Sequence, residues 1–218
     1  MLSSGMDVGM TNHPSEILIF GQRTGTEVLE LLLRVHMQRI EGDDQENVIR
    51  RIFQLYGAKL KAFGMDRTGL GLQMWQNLLH EPFGDRIFGY NFSEKVIVGL
   101  RDPGQNEDPH DIDKLLIERN VVEHASDVLR SDWVDPARVR LPYDRELLTE
   151  WQGQNYTVVK SGGDPYGKRS YSAGKFHTLD AAKMAAAART LPAIAKMVED
   201  ARVVATPPVL DAFVGAMY

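Results

Sequence analysis

Cysteine is absent from the 218 residues. Disulfides and thiolate metal sites are thereby excluded, and any metal must rest on oxygen or imidazole ligands, which favours Mg²⁺ or Mn²⁺ over structural zinc. An intracellular compartment fits. Equally missing is an apolar run of the roughly 20 residues needed to cross a bilayer. The N-terminal Met1-Leu2-Ser3-Ser4-Gly5-Met6-Asp7 also lacks the basic-then-apolar pattern of a secretory signal. A soluble protein with no membrane contact is expected. Nor is there a basic excess: the formal net charge of -5 argues against holding DNA by bulk electrostatics alone. No internal repeat is visible. What remains is a composition that is 43% hydrophobic, enough to fill the core of one sizeable α/β domain.

Periodicity supplies the elements. Residues 15–22 have a β-rich apolar centre, and Gly21 and Gly25 bracket a turn into residues 27–40. There Leu29, Leu31, Leu33, Val35 and Met37 alternate with mostly polar neighbours, which predicts a long strand. Asp43 or Asp44 can cap a helix reaching about Tyr56, with Gly57 ending it. A short strand over residues 59–66 ends in Asp66, and Thr68-Gly69-Leu70-Gly71 turns into a helix that stops before Pro82. Residues 86–100 read as one or two strands, and residues 103–109 as a polar loop. Helices are expected over residues 110–130, 145–151, 178–190 and 193–201, the third being Ala-rich and the last two separated by Pro192. Antiparallel hairpins joined to a strand-helix-strand unit imply a mixed sheet flanked by helices. The expected domain spans residues 1–202, with an elaborated second half and a tail over 203–218.

Between residues 157 and 177 the only acid is Asp164, against Lys160, Lys168, Arg169 and Lys175, with Gly162, Gly163, Gly167 and Gly174 making the segment turn-rich. It reads either as a small basic hairpin that touches phosphates or as an ordinary solvated one. Three acids stand out by setting: Asp7 on the first strand, Asp66 at a strand end, and Asp180 in the first turn of the Ala-rich helix. If the fold brings them together, their mutual repulsion is costly unless cations neutralise it, and a divalent pair is the natural solution. An acid at the buried end of an apolar strand must be paired, hydrated or metal-bound. Asp180 has a second explanation, because a helix N-terminus favours a carboxylate in any case.

Four blocks in order resemble the nuclease domain of the large terminase subunit of tailed bacteriophages. They are Met6-Asp7-Val8-Gly9, Gly64-Met65-Asp66-Arg67-Thr68-Gly69-Leu70-Gly71, Leu141-Pro142-Tyr143-Asp144 with Glu146-Leu147-Leu148, and Phe176-His177-Thr178-Leu179-Asp180-Ala181-Ala182. The resemblance covers nearly the whole chain. It implies an RNase H-like fold in which Asp7, Asp66 and Asp180 ligate two Mg²⁺ or Mn²⁺ ions for hydrolysis of double-stranded DNA during genome packaging. His177 then either supports a ligand and carries a proton or merely starts the helix. An ATPase motor domain, a small terminase subunit and a portal are the implied partners, and the cytoplasm of an infected bacterial host the implied location. No G-x-x-x-x-G-K-[ST] motor motif is present, so the chain is expected to be a domain excised from a longer protein. The stretch from Asp66 to Asp180 is also long, with residues 103–109 as the expected insertion.

Three rivals stay open. Asp7-Val8-Gly9-Met10-Thr11 and Asp66-Arg67-Thr68-Gly69-Leu70-Gly71 also resemble the two phosphate loops of actin-like ATPases and sugar kinases. A resolvase or transposase core would use the same three acids on another substrate, and a non-catalytic interaction domain would leave them as surface groups.

Overall fold

The computed structural model describes residues 1–9, 13–134, 138–159, 168–171 and 176–205. The chain opens with an antiparallel meander of β1 (Leu2–Asp7), β2 (Ser15–Gln22) and β3 (Leu29–Met37). Helix α1 (Gly42–Tyr56) follows. Its N-cap is Glu41, so Asp43 and Asp44 sit inside the first turn rather than capping it, where they face the positive end of the helix dipole. Gly57, at φ 51°, ends it in a backbone conformation that side chains disfavour. Then come β4 (Leu60–Asp66), α2 (Leu70–Leu78) and β5 (Ile87–Tyr90), with β4 parallel to β1 and β5 parallel to β4.

The expected strands over residues 86–100 are two, and they part company. β5 joins the main sheet, whereas β6 (Lys95–Leu100) pairs antiparallel with β7 (Leu116–Asn120) in a separate ribbon. Here the expectation of one helix over residues 110–130 fails. The segment is a single turn, α3 (Ile112–Leu115), then β7, then α4 (Val121–Val134). β6 lies outside the main sheet, and its exposed N–H and C=O groups draw residues 116–120 into a ladder despite their helical spacing.

A two-residue strand, β8 (Val139–Arg140), which nothing in the periodicity announced, pairs parallel with β3. Beyond it lie α5 (Arg145–Gly153), the hairpin β9 (Tyr156–Val159) and β10 (Lys168–Tyr171), and α6 (His177–Ala205). The two helices expected around Pro192 are therefore one. Proline removes a hydrogen bond to the Ala188 carbonyl, but burial of Leu191 and Val198 and packing of Ile194 on either side keep the helix continuous. α6 runs past residue 202, and the remaining residues, 206–218, lie outside the described part.

The main sheet runs β5-β4-β1-β2-β3-β8. A central β1 with an antiparallel meander on one side and parallel strands on the other is the RNase H-like arrangement. Alternation along the strands sorts the two faces. Met6, Ile17, Ile19, Phe63 and Met65 join Ile49, Ile52, Phe53, Met74 and Leu78 in a core beneath α1 and α2. Each large apolar side chain there contributes about 1.5–3 kcal/mol by burial.

On the opposite face, Leu18 and Phe20 meet Ala181, Ala182 and Ala185, and Ala62 and Tyr90 meet Met184, Ala186, Ala187 and Ala188. An alanine offers only about 0.8 kcal/mol per buried carbon. The second face therefore depends on very close approach rather than on large side chains. In β3 the alternation slips once: Leu32 has no partner on β2 and is 50% exposed, which returns Leu31 to the α6 side.

Candidate active site

Glycine sets the geometry. Gly5 on β1 pairs with Gly64 on β4, and α6 lies directly on both. A Cβ on Gly5 would fall 2.0 Å from the Ala181 carbonyl oxygen, and one on Gly64 would fall 2.1 Å from that of Met184. Two residues beyond these glycines, on the same face, β1 ends in Asp7 and β4 ends in Asp66. Asp180 immediately precedes Ala181, and His177 opens the helix. The four sequence-predicted residues are thus delivered to one end of the molecule by two adjacent parallel strands and one helix N-terminus.

Their charges interact. Burial raises the Asp7 carboxyl above its ordinary range; the His177 hydrogen bond opposes that rise, and Asp180 and Asp66 add repulsion. Asp66 is raised chiefly by burial as well. Its two hydrogen bonds from Thr68 pull the other way, and Asp180 pushes it further up. The Thr68 amide donates to Asp66 Oδ1 at 2.9 Å and its hydroxyl to Oδ2 at 2.7 Å. His177 Nδ1 lies 2.7 Å from Asp7 Oδ2, and this contact raises the imidazole above its usual range. Its other nitrogen, Nε2, is buried and has no hydrogen-bond partner among the described residues. Asp180 Oδ1 accepts from Lys183 Nζ at 2.7 Å.

Each acid therefore leans on a protein donor, and among the described residues no group of three or more His, Asp or Glu side chains is already placed to hold a metal ion. The donors are nonetheless of the kind a hard divalent cation takes, being carboxylate oxygens with an imidazole nitrogen to spare. Two of the acids are held where their own charge is disfavoured, which is the condition a bound cation relieves. By that test the residues suit a divalent ion.

The helix start is held from behind by residues the sequence did not single out for a role. Glu150 on α5 accepts from the Thr178 amide at 2.8 Å and from its hydroxyl at 2.7 Å. α5 is itself capped by Asp144, which takes the amides of Glu146 and Leu147. Arg34 ties that cap to the sheet, reaching Asp144 at 2.9 Å, Glu146 at 2.9 Å and the buried Glu16 at 2.8 Å. The Asp144 to Leu148 block is thus a strap that seats α6. The sequence marked this segment only as one block of the resemblance and as an acid ahead of a short amphipathic helix.

The four expected DNA contacts divide between described and undescribed residues. Lys168 and Arg169 lie on β10, in register with Val159 and Val158 of β9, so a hairpin is present. Lys160 and Lys175 fall outside the described residues. None of the described helices is long and apolar enough to cross a membrane.

A pH dependence follows from these shifts. Asp7 and Asp66 have folded-state values above 3.8 and His177 above 6.5, so at all three the folded state holds its protons more tightly. Stability contributed by the carboxyls is lost as pH rises from about 4 through their raised values, and that from His177 as pH climbs above 6.5. In EDTA, thermal melts of Asp7→Asn against the unsubstituted protein should show the variant gaining steadily in relative stability from pH 4 to pH 8. A difference that stays flat with pH would remove Asp7 from the group.

No family model matches the sequence, and no curated protein does. Solved structures do match. The chain is similar to the large-terminase nuclease domain of bacteriophage SPP1 with bound Mn, at 15% identity and a TM-score of 0.48, covering 84% of each chain. It is also similar to the large-terminase nuclease of the thermophilic phage G20c, at 13% identity and 0.49, over 85% of this chain and 80% of that one. The P22 large-terminase nuclease domain matches at 15% identity and 0.47, over 92% and 86%.

Proposed function

We propose that the chain is a divalent-metal-dependent endonuclease for double-stranded DNA, of the large-terminase type. The observation that carries this proposal is the delivery of Asp7, Asp66 and Asp180 to one end of an RNase H-like sheet, two of them held above the normal carboxyl range by burial and mutual repulsion. Structural acids are normally arranged so that their charge is welcome. At Asp7 and Asp66 it is not, and perturbation of that kind marks functional sites.

Asp7, Asp66 and Asp180 would hold the metal, Mg²⁺ or Mn²⁺ in a pair, through the carboxylate lone pairs that their contacts with His177, Thr68 and Lys183 leave open. When bound, such ions lower the pKa of water and neutralise charge building up at phosphorus. His177 fixes the orientation of Asp7 through Nδ1 and keeps Nε2 free to take or give a proton. Glu150 and the Arg34 strap keep the α6 N-terminus in place. The β9–β10 hairpin, with Lys168, Arg169 and the flanking Lys160 and Lys175, guides the DNA backbone by contacts that position without reading sequence. An ATPase motor domain, a small subunit and a portal are the partners this role requires, in the cytoplasm of an infected host.

Plasmid DNA incubated with the purified chain should be nicked and linearised with Mn²⁺ or Mg²⁺ and left intact in EDTA. Saturable ATP binding without any metal-dependent cleavage would overturn the proposal in favour of the actin-like alternative.

A further inference from the structure

Lys183 is the most deeply buried cation in the described part of the chain, with 2% of its side chain exposed. It stands in a stretch where Ala181, Ala182, Ala185, Ala186, Ala187 and Ala188 meet the packing needs of a helix pressed against strands. Nothing in helix propensity or in close packing calls for a lysine there, and burying an ammonium is costly unless it is paired. Its Nζ lies 2.7 Å from Asp180 Oδ1 and 5.6 Å from the centre of the Phe92 ring, so the charge is aimed at the acid and backed by an aromatic face. Asp180 in turn repels both Asp7 and Asp66.

We infer that Lys183 is a built-in counter-cation of the three-carboxylate cluster. It holds Asp180 in position and, before any ion arrives, supplies part of the positive charge that an ion later supplies. The inference rests on the three acids being metal ligands. It makes Lys183 a positioning residue with two opposed effects: it stabilises the metal-free protein, and it competes electrostatically with an incoming divalent cation. One oxygen of Asp180 is engaged by the ammonium, so ion binding has to proceed against a fixed positive neighbour.

Mn²⁺ calorimetry and thermal melts in EDTA on four proteins test this: unsubstituted, Lys183→Met, Asp180→Asn and the double variant. Lys183→Met, which keeps the length and apolar stem, should bind Mn²⁺ about tenfold more tightly and melt lower in EDTA. Asp180→Asn removes the carboxylate that now lies 2.7 Å from the buried ammonium and should also melt lower, whereas adding Lys183→Met to it should restore part of the loss. A lysine retained for packing alone would shift the melt equally in both backgrounds and leave Mn²⁺ affinity unchanged, and either result overturns the inference. Absence of any Mn²⁺ uptake by the unsubstituted protein would instead overturn the metal assignment on which the inference stands. The EDTA melts still report Lys183–Asp180 coupling in that event, so the two failures are distinguishable.

Discussion

Asp66→Asn is expected to lower Mn²⁺-dependent plasmid cleavage by at least about 10²–10³-fold, the scale of losing one preorganised electrostatic partner at a reacting centre. The same substitution should leave the metal-free protein as stable as before, or more so. Asparagine keeps an oxygen to accept from the Thr68 amide, which now donates to Oδ1 at 2.9 Å, and its NH2 can donate to the Thr68 hydroxyl, which now donates to Oδ2 at 2.7 Å. It removes a charge that burial and Asp180 make unwelcome. An acid serving only as a turn former would behave oppositely: stability would drop and cleavage would stay near its original rate. Paired plasmid assays and melts in EDTA separate the two, and cleavage within a factor of ten of the unsubstituted rate would remove Asp66 from the reaction.

Gly64→Ala should destabilise the fold by about 3 kcal/mol, the upper end of the usual overpacking cost. The new methyl would meet the Met184 carbonyl oxygen at 2.1 Å, its carbon at 2.8 Å and the Ala188 Cβ at 3.0 Å. The first two are helix backbone and cannot turn aside, so α6 has to lift. For a domain of this size that corresponds to a melting temperature lower by about 6–12 °C. Mn²⁺ affinity should fall too, because the lifted helix carries Asp180. Gly42→Ala is the control: its methyl meets only the Leu70 side chain, Cδ1 at 3.5 Å and Cδ2 at 3.9 Å, within a helix that alanine favours, and should be neutral or slightly stabilising. A Gly64→Ala protein melting within a degree or two of the original would mean that α6 is not seated on β4 as described.

Much of the architecture was legible because period-two alternation survives over most of β3, because β2 carries a compact apolar centre, and because Asp66 closes a short strand ahead of a glycine-bearing turn. The failures have physical causes that lie outside any short window. Residues 110–130 carry apolar residues at helical spacing, yet Leu116–Asn120 is claimed by β6, a strand whose need for a partner is visible only once the sheets are assembled. Pro192 marked a helix end by local rules and lost to burial on both sides of it. The Ala-rich run is strongly helical by propensity. Its meaning lies as much in contact with Gly5 and Gly64, more than a hundred residues upstream, and Lys183 stood out only once the burial around it was known. The candidate site was legible as a list of acids, whereas the strap from Arg34 through Asp144 to Glu150 depends on pairings between distant segments.

Those distances also set a timetable. His177 and Asp7, joined at 2.7 Å, are 170 residues apart in the chain. A ribosome making this protein from its N-terminus releases the meander and β4 long before α6 exists, and long-range contacts form late because closing so large a loop comes first. A nascent or truncated chain thus carries Asp7 and Asp66 without Asp180, His177 or Lys183. On the proposed function, the three-carboxylate cluster and any cleavage that depends on it are completed only when α6 docks, so a chain that stops short of α6 is expected to be inert toward DNA.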